Sequence, residues 1–317
     1  MKDPLKITAY AAALAAFFAG AYGVGHVVGP GAADTGPAAH AGHGTPGSGT
    51  AGGQDAPAGG LEISGNGYTL DLKTPRVAAD RNSALRFAIR DRTGRQVTAY
   101  QRRHDKELHL ILTSRDLGTF RHLHPTRAAD GTWSAPADLP EAGTYRLFAD
   151  FTPAGKGAKN LTLGADLAVS GDYRPAPLPA ASAVARVDGY TVTLAGRLHP
   201  GTAGELTVKV TRNGRPVTDL DPYLGAYGHL VALRSGDLAY LHVHPNGEPG
   251  DGRTKPGPEV SFTATAPSAG AYRLFLDFRH HGTVRTAAFT VTASGGGRTN
   301  EKAQRAQPEE AAAGHRH

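Results

Sequence analysis

The stretch Gly143-Thr-Tyr-Arg-Leu-Phe-Ala-Asp-Phe151 returns 127 positions later as Gly270-Ala-Tyr-Arg-Leu-Phe-Leu-Asp-Phe278. Working outward, Tyr68-Thr-Leu-Asp-Leu72 returns as Tyr190-Thr-Val-Thr-Leu194, and Gly94-Arg-Gln-Val-Thr98 as Gly214-Arg-Pro-Val-Thr218. At the 120-residue shift of this last pair, His109 falls on His229, His122 on His242, His124 on His244 and Pro125 on Pro245. The second copy is therefore seven residues longer between its His-Pro and its Tyr-Arg-Leu-Phe, and the run Asn246–Pro258, rich in Pro and Gly, is the natural place for the extra loop. The chain holds a duplication.

Each copy reads as β. Apolar residues alternate in Leu85/Phe87/Ile89, Leu206/Val208/Val210 and Tyr272/Leu274/Leu276, and turn pairs such as Asn213-Gly214 and Asp130-Gly131 separate the runs. No stretch after Val28 shows a 3.6-residue apolar period. Each copy yields about seven runs, the number expected of an immunoglobulin-like sandwich. Pro140-Glu-Ala-Gly-Thr-Tyr145 and Pro267-Ser-Ala-Gly-Ala-Tyr272 resemble the tyrosine corner of such sandwiches. The predicted fold class is all-β: two tandem immunoglobulin-like β-sandwich domains after a single N-terminal transmembrane helix or signal peptide. The expected boundaries are an anchor at 1–28, a linker at 29–60, sandwiches at 61–171 and 183–293, a Pro-rich link at 172–182 and a tail at 294–317.

Composition narrows the chemistry. The 317 residues include no Cys and a single Met, Met1, so thiolate and thioether metal sites, disulfides and a cysteine nucleophile are excluded. Histidine is abundant, with 15 copies. The net charge of +6 is scattered, with no basic helix or aromatic-interleaved strip, so no nucleic-acid partner is expected. Lys2 and Lys6 precede Ile7–Val28, which has no charge in 22 residues and would reach about 33 Å as a helix. This reads as an anchor that leaves the rest of the chain outside the cytoplasmic membrane. Ala19-Gly20-Ala21 offers the alternative, a cleaved signal and a secreted chain. The linker (with His40 and His43) and the tail (ending Gly-His-Arg-His317) lack large apolar residues and are expected to be flexible.

The chemistry centres on His-x-His-Pro, at His122-Leu-His124-Pro125 and His242-Val-His244-Pro245. In a strand, residues i and i+2 share a face, so two imidazoles about 6–7 Å apart at the backbone converge on one ion. The prolines should end the ladder there. His109 and His229 stand 13 residues upstream, a spacing that allows a preceding antiparallel strand to bring a third imidazole. Three imidazoles with an open position suit Cu(II) or Zn(II). Asp150 and Asp277 alternate out of phase with the core tyrosines, as a fourth ligand or as an acceptor orienting a histidine. The competing reading gives these histidines packing and hydrogen-bonding roles, and Asp150 and Asp277 surface salt bridges to Arg146 or Arg273. His280-His281 reads as turn filler, and His104 and His199 as loop residues.

Gly228-His-Leu-Val-Ala-Leu233, His242-Val-His-Pro245 and Pro267-Ser-Ala-Gly-Ala-Tyr272 resemble a series found in exported or membrane-anchored bacterial proteins, whose small β-sandwich domains are similar to the YtkA-like type. The resemblance implies a sandwich outside the membrane and a link to copper or other heavy-metal handling, with no established activity. Ala266 stands where that series often has Phe. A second resemblance, of Gly236, His242, His244 and Glu248 to the first half of a cupin metal motif, implies an enzyme. It stops there, since Lys255 and Tyr272 stand where glycine and histidine should follow. The expectation is a non-enzymatic metal-buffering or delivery protein with a metal ion and a membrane metal transporter, or another extracytoplasmic protein, as partners. The alternative is a structural or protein-interaction module.

Overall fold

A computed structural model describes residues 58–241 and 243–294. Ile7–Val28, most of the 29–60 linker, His242 and the tail lie outside the described residues. Among the described residues no helix is long and apolar enough to cross a membrane.

Each copy is a pair of facing sheets. In the first, Ser64–Gly65, Tyr68–Leu72, Asn82–Arg90, Thr132–Asp138 and Thr126–Arg127 lie in that order in one sheet. The other has the order Arg76–Ala78, Leu161–Ser170, Gly143–Pro153, Leu108–Ser114, Phe120–Leu123, and Tyr100–Gln101 also pairs with Gly143–Pro153. The pairing is antiparallel apart from Arg76–Ala78, which runs parallel to Leu161–Ser170. The second copy repeats the plan. Val184–Val187, Tyr190–Gly196, Ala203–Arg212, Glu259–Thr265 and Val243–Pro245 form one sheet, with Arg215–Pro216 on Ala203–Arg212. Tyr240–Leu241, His229–Arg234, Gly270–His280 and Thr283–Ala293 form the other.

Alternation explains which side chains go inside. Leu85, Phe87 and Ile89 meet Leu108, Leu110, Leu112, Tyr145 and Leu147 in the first core, and Trp133 stacks on Phe87. Leu206, Val208, Val210 and Phe262 meet Leu230, Tyr272, Leu274 and Phe289 in the second. Both tyrosine corners are present: the Tyr145 hydroxyl donates to the Glu141 carbonyl at 3.0 Å, and the Tyr272 hydroxyl to the Ser268 carbonyl at 2.8 Å. The molecule is two immunoglobulin-like sandwiches in tandem.

The intervening faces of the two copies are not open to solvent. Ile111, Phe120 and Phe148 of the first join Val231, Leu233, Leu238 and Phe275 of the second in one buried cluster, against which Leu178 of the link also packs. Phe120 stacks on Phe275 with ring centroids 4.1 Å apart, and Phe148 meets Tyr240 at 5.5 Å. Under the repeat, Phe120 corresponds to Tyr240 and Phe148 to Phe275, so each contact is the image of the other. This exchange is the mark of an isologous interface. The strands Leu108–Ser114 and His229–Arg234 are buried on both faces, which accounts for their nearly continuous apolar runs.

Gly59 and Gly60, the last residues before the first sandwich, are tied to the folded part. The Gly60 amide donates to the Thr162 carbonyl, the Arg146 guanidinium holds the Gly60 carbonyl, and Gly59 bridges to Tyr240. Gly60 has φ of +73°, and a Cβ there would run into the Phe148 ring.

Candidate functional site

The strand Leu108–Ser114 points Leu108, Leu110 and Leu112 into its own core, so His109 and Ile111 face the other copy. Its neighbour Phe120–Leu123 runs antiparallel in a register that sets His122 opposite Ile111 and Phe120 opposite Thr113. On the other side Asp150 lies opposite His109. In the second copy His229 lies opposite Asp277, and Asp277 opposite Thr286. The predicted face is thus the one on which the two sandwiches meet.

His109, His122 and His124 converge as the spacing suggested. One ring nitrogen from each lies within 4.8 Å of the others. Two features differ from expectation. The groups from the two copies are not separate, solvent-facing sites: His122 Nδ1 lies 2.8 Å from Asp277 Oδ2 of the second copy, and the His229 ring centroid is 6.4 Å from that of His109 and 6.2 Å from that of His122. In addition, Asp277 is not a surface salt bridge to Arg273. It is 3% exposed, with Oδ1 accepting from the Thr286 hydroxyl at 2.6 Å. Asp150 accepts from the Thr162 hydroxyl at 3.3 Å in the corresponding way, while Arg146 pairs with Asp166.

Proton accounting at the three imidazoles is informative. A carboxylate oxygen accepts, so His122 carries a proton on Nδ1 and turns its Nε2 towards His109. That Nε2 is 3.1 Å from His109 Nδ1, while His109 Nε2 is 3.3 Å from the Arg103 carbonyl. When His109 donates from Nε2 to the Arg103 carbonyl, its Nδ1 lone pair faces His122 Nε2, and a proton or a metal ion between the two nitrogens satisfies both. His229 makes the same kind of carbonyl contact at shorter distances, its Nε2 at 2.9 Å from the Tyr223 carbonyl and 3.0 Å from that of Leu224. Tyr223 is the repeat equivalent of Arg103. His124 Nε2 is buried and finds no hydrogen-bond partner among the described residues.

Burial, reinforced by His122, pushes His109 down to about 2, His124 to about 3 and His229 to about 4. His109, His124 and His229 are thereby held in the neutral form at physiological pH, the form that binds metal. Two nitrogens bound to one ion at ~2.0 Å stand about 3.3 Å apart at a tetrahedral angle, close to the separation of His109 Nδ1 and His122 Nε2.

Beside this cluster lies a cavity of about 180 Å³, lined from the first copy by Arg103, His104, His109, His122 and Asp150 and from the second by His229, Tyr240 and His244. His104 was read from sequence as a bland loop residue. Its ring is 5.3 Å from that of His229 and 6.1 Å from that of His109. His104 does lie in a turn, and the nearer of the two rings belongs to the other copy. His280, read as turn filler, is the last residue of its strand and is buried, bonded to the Tyr190 hydroxyl at 2.7 Å and to Asp219 at 3.0 Å. Pro245, paired with Phe262, is the last residue of its strand, as expected of a proline that ends a ladder. Glu248, the residue behind the cupin resemblance, is exposed in its loop and does not line the cavity.

The chain belongs to a family of β domains described only as a domain of unknown function, DUF8832, which matches at residues 62–163 and again at 185–295. No curated protein matches the sequence. Among solved structures it is similar to the Escherichia coli adhesin FdeC, at 18% identity and a TM-score of 0.23, over 73% of this chain and 65% of that one. It is also similar to a Salmonella alpha-2-macroglobulin, at 13% identity and a TM-score of 0.25, over 75% of this chain and 15% of that one. A membrane-anchored protein from Corynebacterium diphtheriae gives 8% identity and a TM-score of 0.22, over 73% and 59%. The chain thus spans less than two thirds of the length of each of these proteins.

Proposed function

We propose that the tandem sandwich binds a divalent transition-metal ion, Cu(II) or Zn(II), through His109, His122 and His124, and serves in metal buffering or delivery outside the cytoplasm. The observation that carries this reading is the set of ring nitrogens of His109, His122 and His124 within 4.8 Å of one another, with His124 Nε2 buried and unbonded among the described residues. Asp277 is the outer carboxylate that fixes the His122 tautomer, a common accompaniment of a metal-bound histidine. His229 flanks the cluster from the second copy; His242, His244 and Asp150 complete the ligand set expected from sequence. The apolar run Ile7–Val28 supports a membrane tether, and the YtkA-like resemblance supports metal handling with a membrane transporter or another extracytoplasmic protein as recipient.

Cu(II) titration of the full chain, followed by electron paramagnetic resonance, tests this against the same chain carrying His122→Ala and His124→Ala. The expected result is a tight site with nitrogen hyperfine structure that the double variant lacks, leaving only the weak binding of the tails. Identical titrations would sink the reading.

A second reading is favoured by a different observation. The His122–Asp277 bond and the aromatic pairs already join the two copies, so the histidines would serve as an interdomain clasp and the outer surfaces would meet protein partners. It predicts no rise in melting temperature with one equivalent of metal, whereas a bound ion stabilises the folded state by mass action.

A further inference from the structure

The two copies differ at one point that bears on how an ion would reach the half-buried triad. The loops before His109 and His229 have the same shape. In each a carbonyl, of Arg103 or Tyr223, accepts from the histidine Nε2, and the next residue in each has positive φ, 49° at His104 and 52° at Leu224. The side chains there are unlike. Leu224 is 8% exposed. His104 is exposed on one side and lines the cavity on the other, its ring between solvent and the rings of His109 and His229. His244 lines the same cavity from the second copy.

We propose that His104 is the outer docking ligand of the site: a divalent transition cation arriving from solvent first binds the His104 imidazole in the cavity and passes from it to His109 and His122. This rests on the metal reading above and adds a route to it. A histidine adopts positive φ more readily than most residues, so the sequence places a ligand at this turn without distorting it. An exposed imidazole binds singly and weakly, whereas the triad binds through several nitrogens. The gradient therefore runs inward, and the outer ligand affects rates in both directions more than it affects affinity.

The substitution His104→Leu copies the residue that the second copy already accommodates at the same backbone angle, so the full chain is expected to fold with an unchanged melting temperature. The probe is Cu(II) supplied as a weak glycine chelate, with uptake followed by stopped-flow absorbance and release followed after adding EDTA. His104→Leu should slow uptake and release together, by about fivefold or more, with Kd within about twofold of the parent chain. Unchanged rates in a chain that binds Cu(II) through the triad would overturn the docking role while leaving the metal reading in place. A tenfold loss of affinity would overturn it differently, making His104 a ligand of the final site. If the parent chain bound no more tightly than the His122→Ala, His124→Ala chain, both the route and the reading would fail. The converse change, Leu224→His, should speed uptake by giving the second copy the same outer imidazole.

Discussion

The first copy and the second copy carry the same His-x-His-Pro and place it differently. In the first, Phe120–Leu123 stays on the inner sheet through His122, and the chain reaches the other sheet only at Thr126. In the second, the chain leaves the inner sheet after Leu241, and Val243–Pro245 already pairs with Glu259–Thr265. The crossing therefore comes earlier by a few residues. His124 is turned inward with a buried, unbonded Nε2, while its equivalent His244 is exposed. The strand that receives the second crossing is the one that follows the longer loop Asn246–Pro258. A duplicated motif thus does not duplicate a site: the sheet on which the motif lies decides which way its rings face.

The largest effect is expected where the copies are alike. Phe148→Ala and Phe275→Ala remove equivalent, fully buried rings from the shared face and should each cost about 3–5 kcal/mol, read by denaturant unfolding. A large loss from one and none from the other would break the equivalence of the two contacts. Next comes the point at which the copies part. His124→Ala should weaken Cu(II) binding about 100-fold, worth about 2.8 kcal/mol, and His244→Ala by less than about threefold, by isothermal titration. Equal losses would mean that both triads bind.

The metal-free protein should also report the buried rings through pH. Unfolded histidines titrate near the ordinary value of 6.5, whereas burial holds folded His109 at about 2, His124 at about 3 and His229 at about 4. Below pH 6.5 the unfolded state takes up protons that the folded state refuses. Stability is then fully present above pH 6.5 and is lost as pH falls towards 4, with a drop of several degrees in melting temperature. A flat profile in calorimetry would contradict the burial of these rings. The smallest effect returns to likeness: Tyr145→Phe and Tyr272→Phe each delete one corner hydrogen bond and should cost about 1 kcal/mol apiece.

Much of the fold was legible because its signals are local. The alternation in Leu85/Phe87/Ile89 and Leu206/Val208/Val210 marks inward faces, and Gly143-Thr-Tyr145 and Gly270-Ala-Tyr272 mark the corners. The convergence of His109 with His122 and His124 was legible too, since a spacing of 13 residues closes an antiparallel pair. What was not legible depends on contacts between copies. Nothing near Asp277 in sequence says that it bonds His122, 155 positions away. Nothing beside His104 says that its neighbour is His229. The burial of His109 and the exposure of His244 follow from which sheet faces the other copy, and periodicity within one copy does not encode that.

The self-complementary face has a consequence for assembly. A single copy would present Ile111, Phe120 and Phe148, or their counterparts, to water, and would bury them only by meeting another copy in solution. Such a pairing is bimolecular and dissolves on dilution. Here a link of about a dozen residues ties one half to the other, which fixes the local concentration of the partner in the millimolar range whatever the abundance of the protein. The Pro-rich link thus makes a dimer that cannot be diluted apart, and any chemistry housed at the seam keeps its full set of side chains even when the chain is scarce.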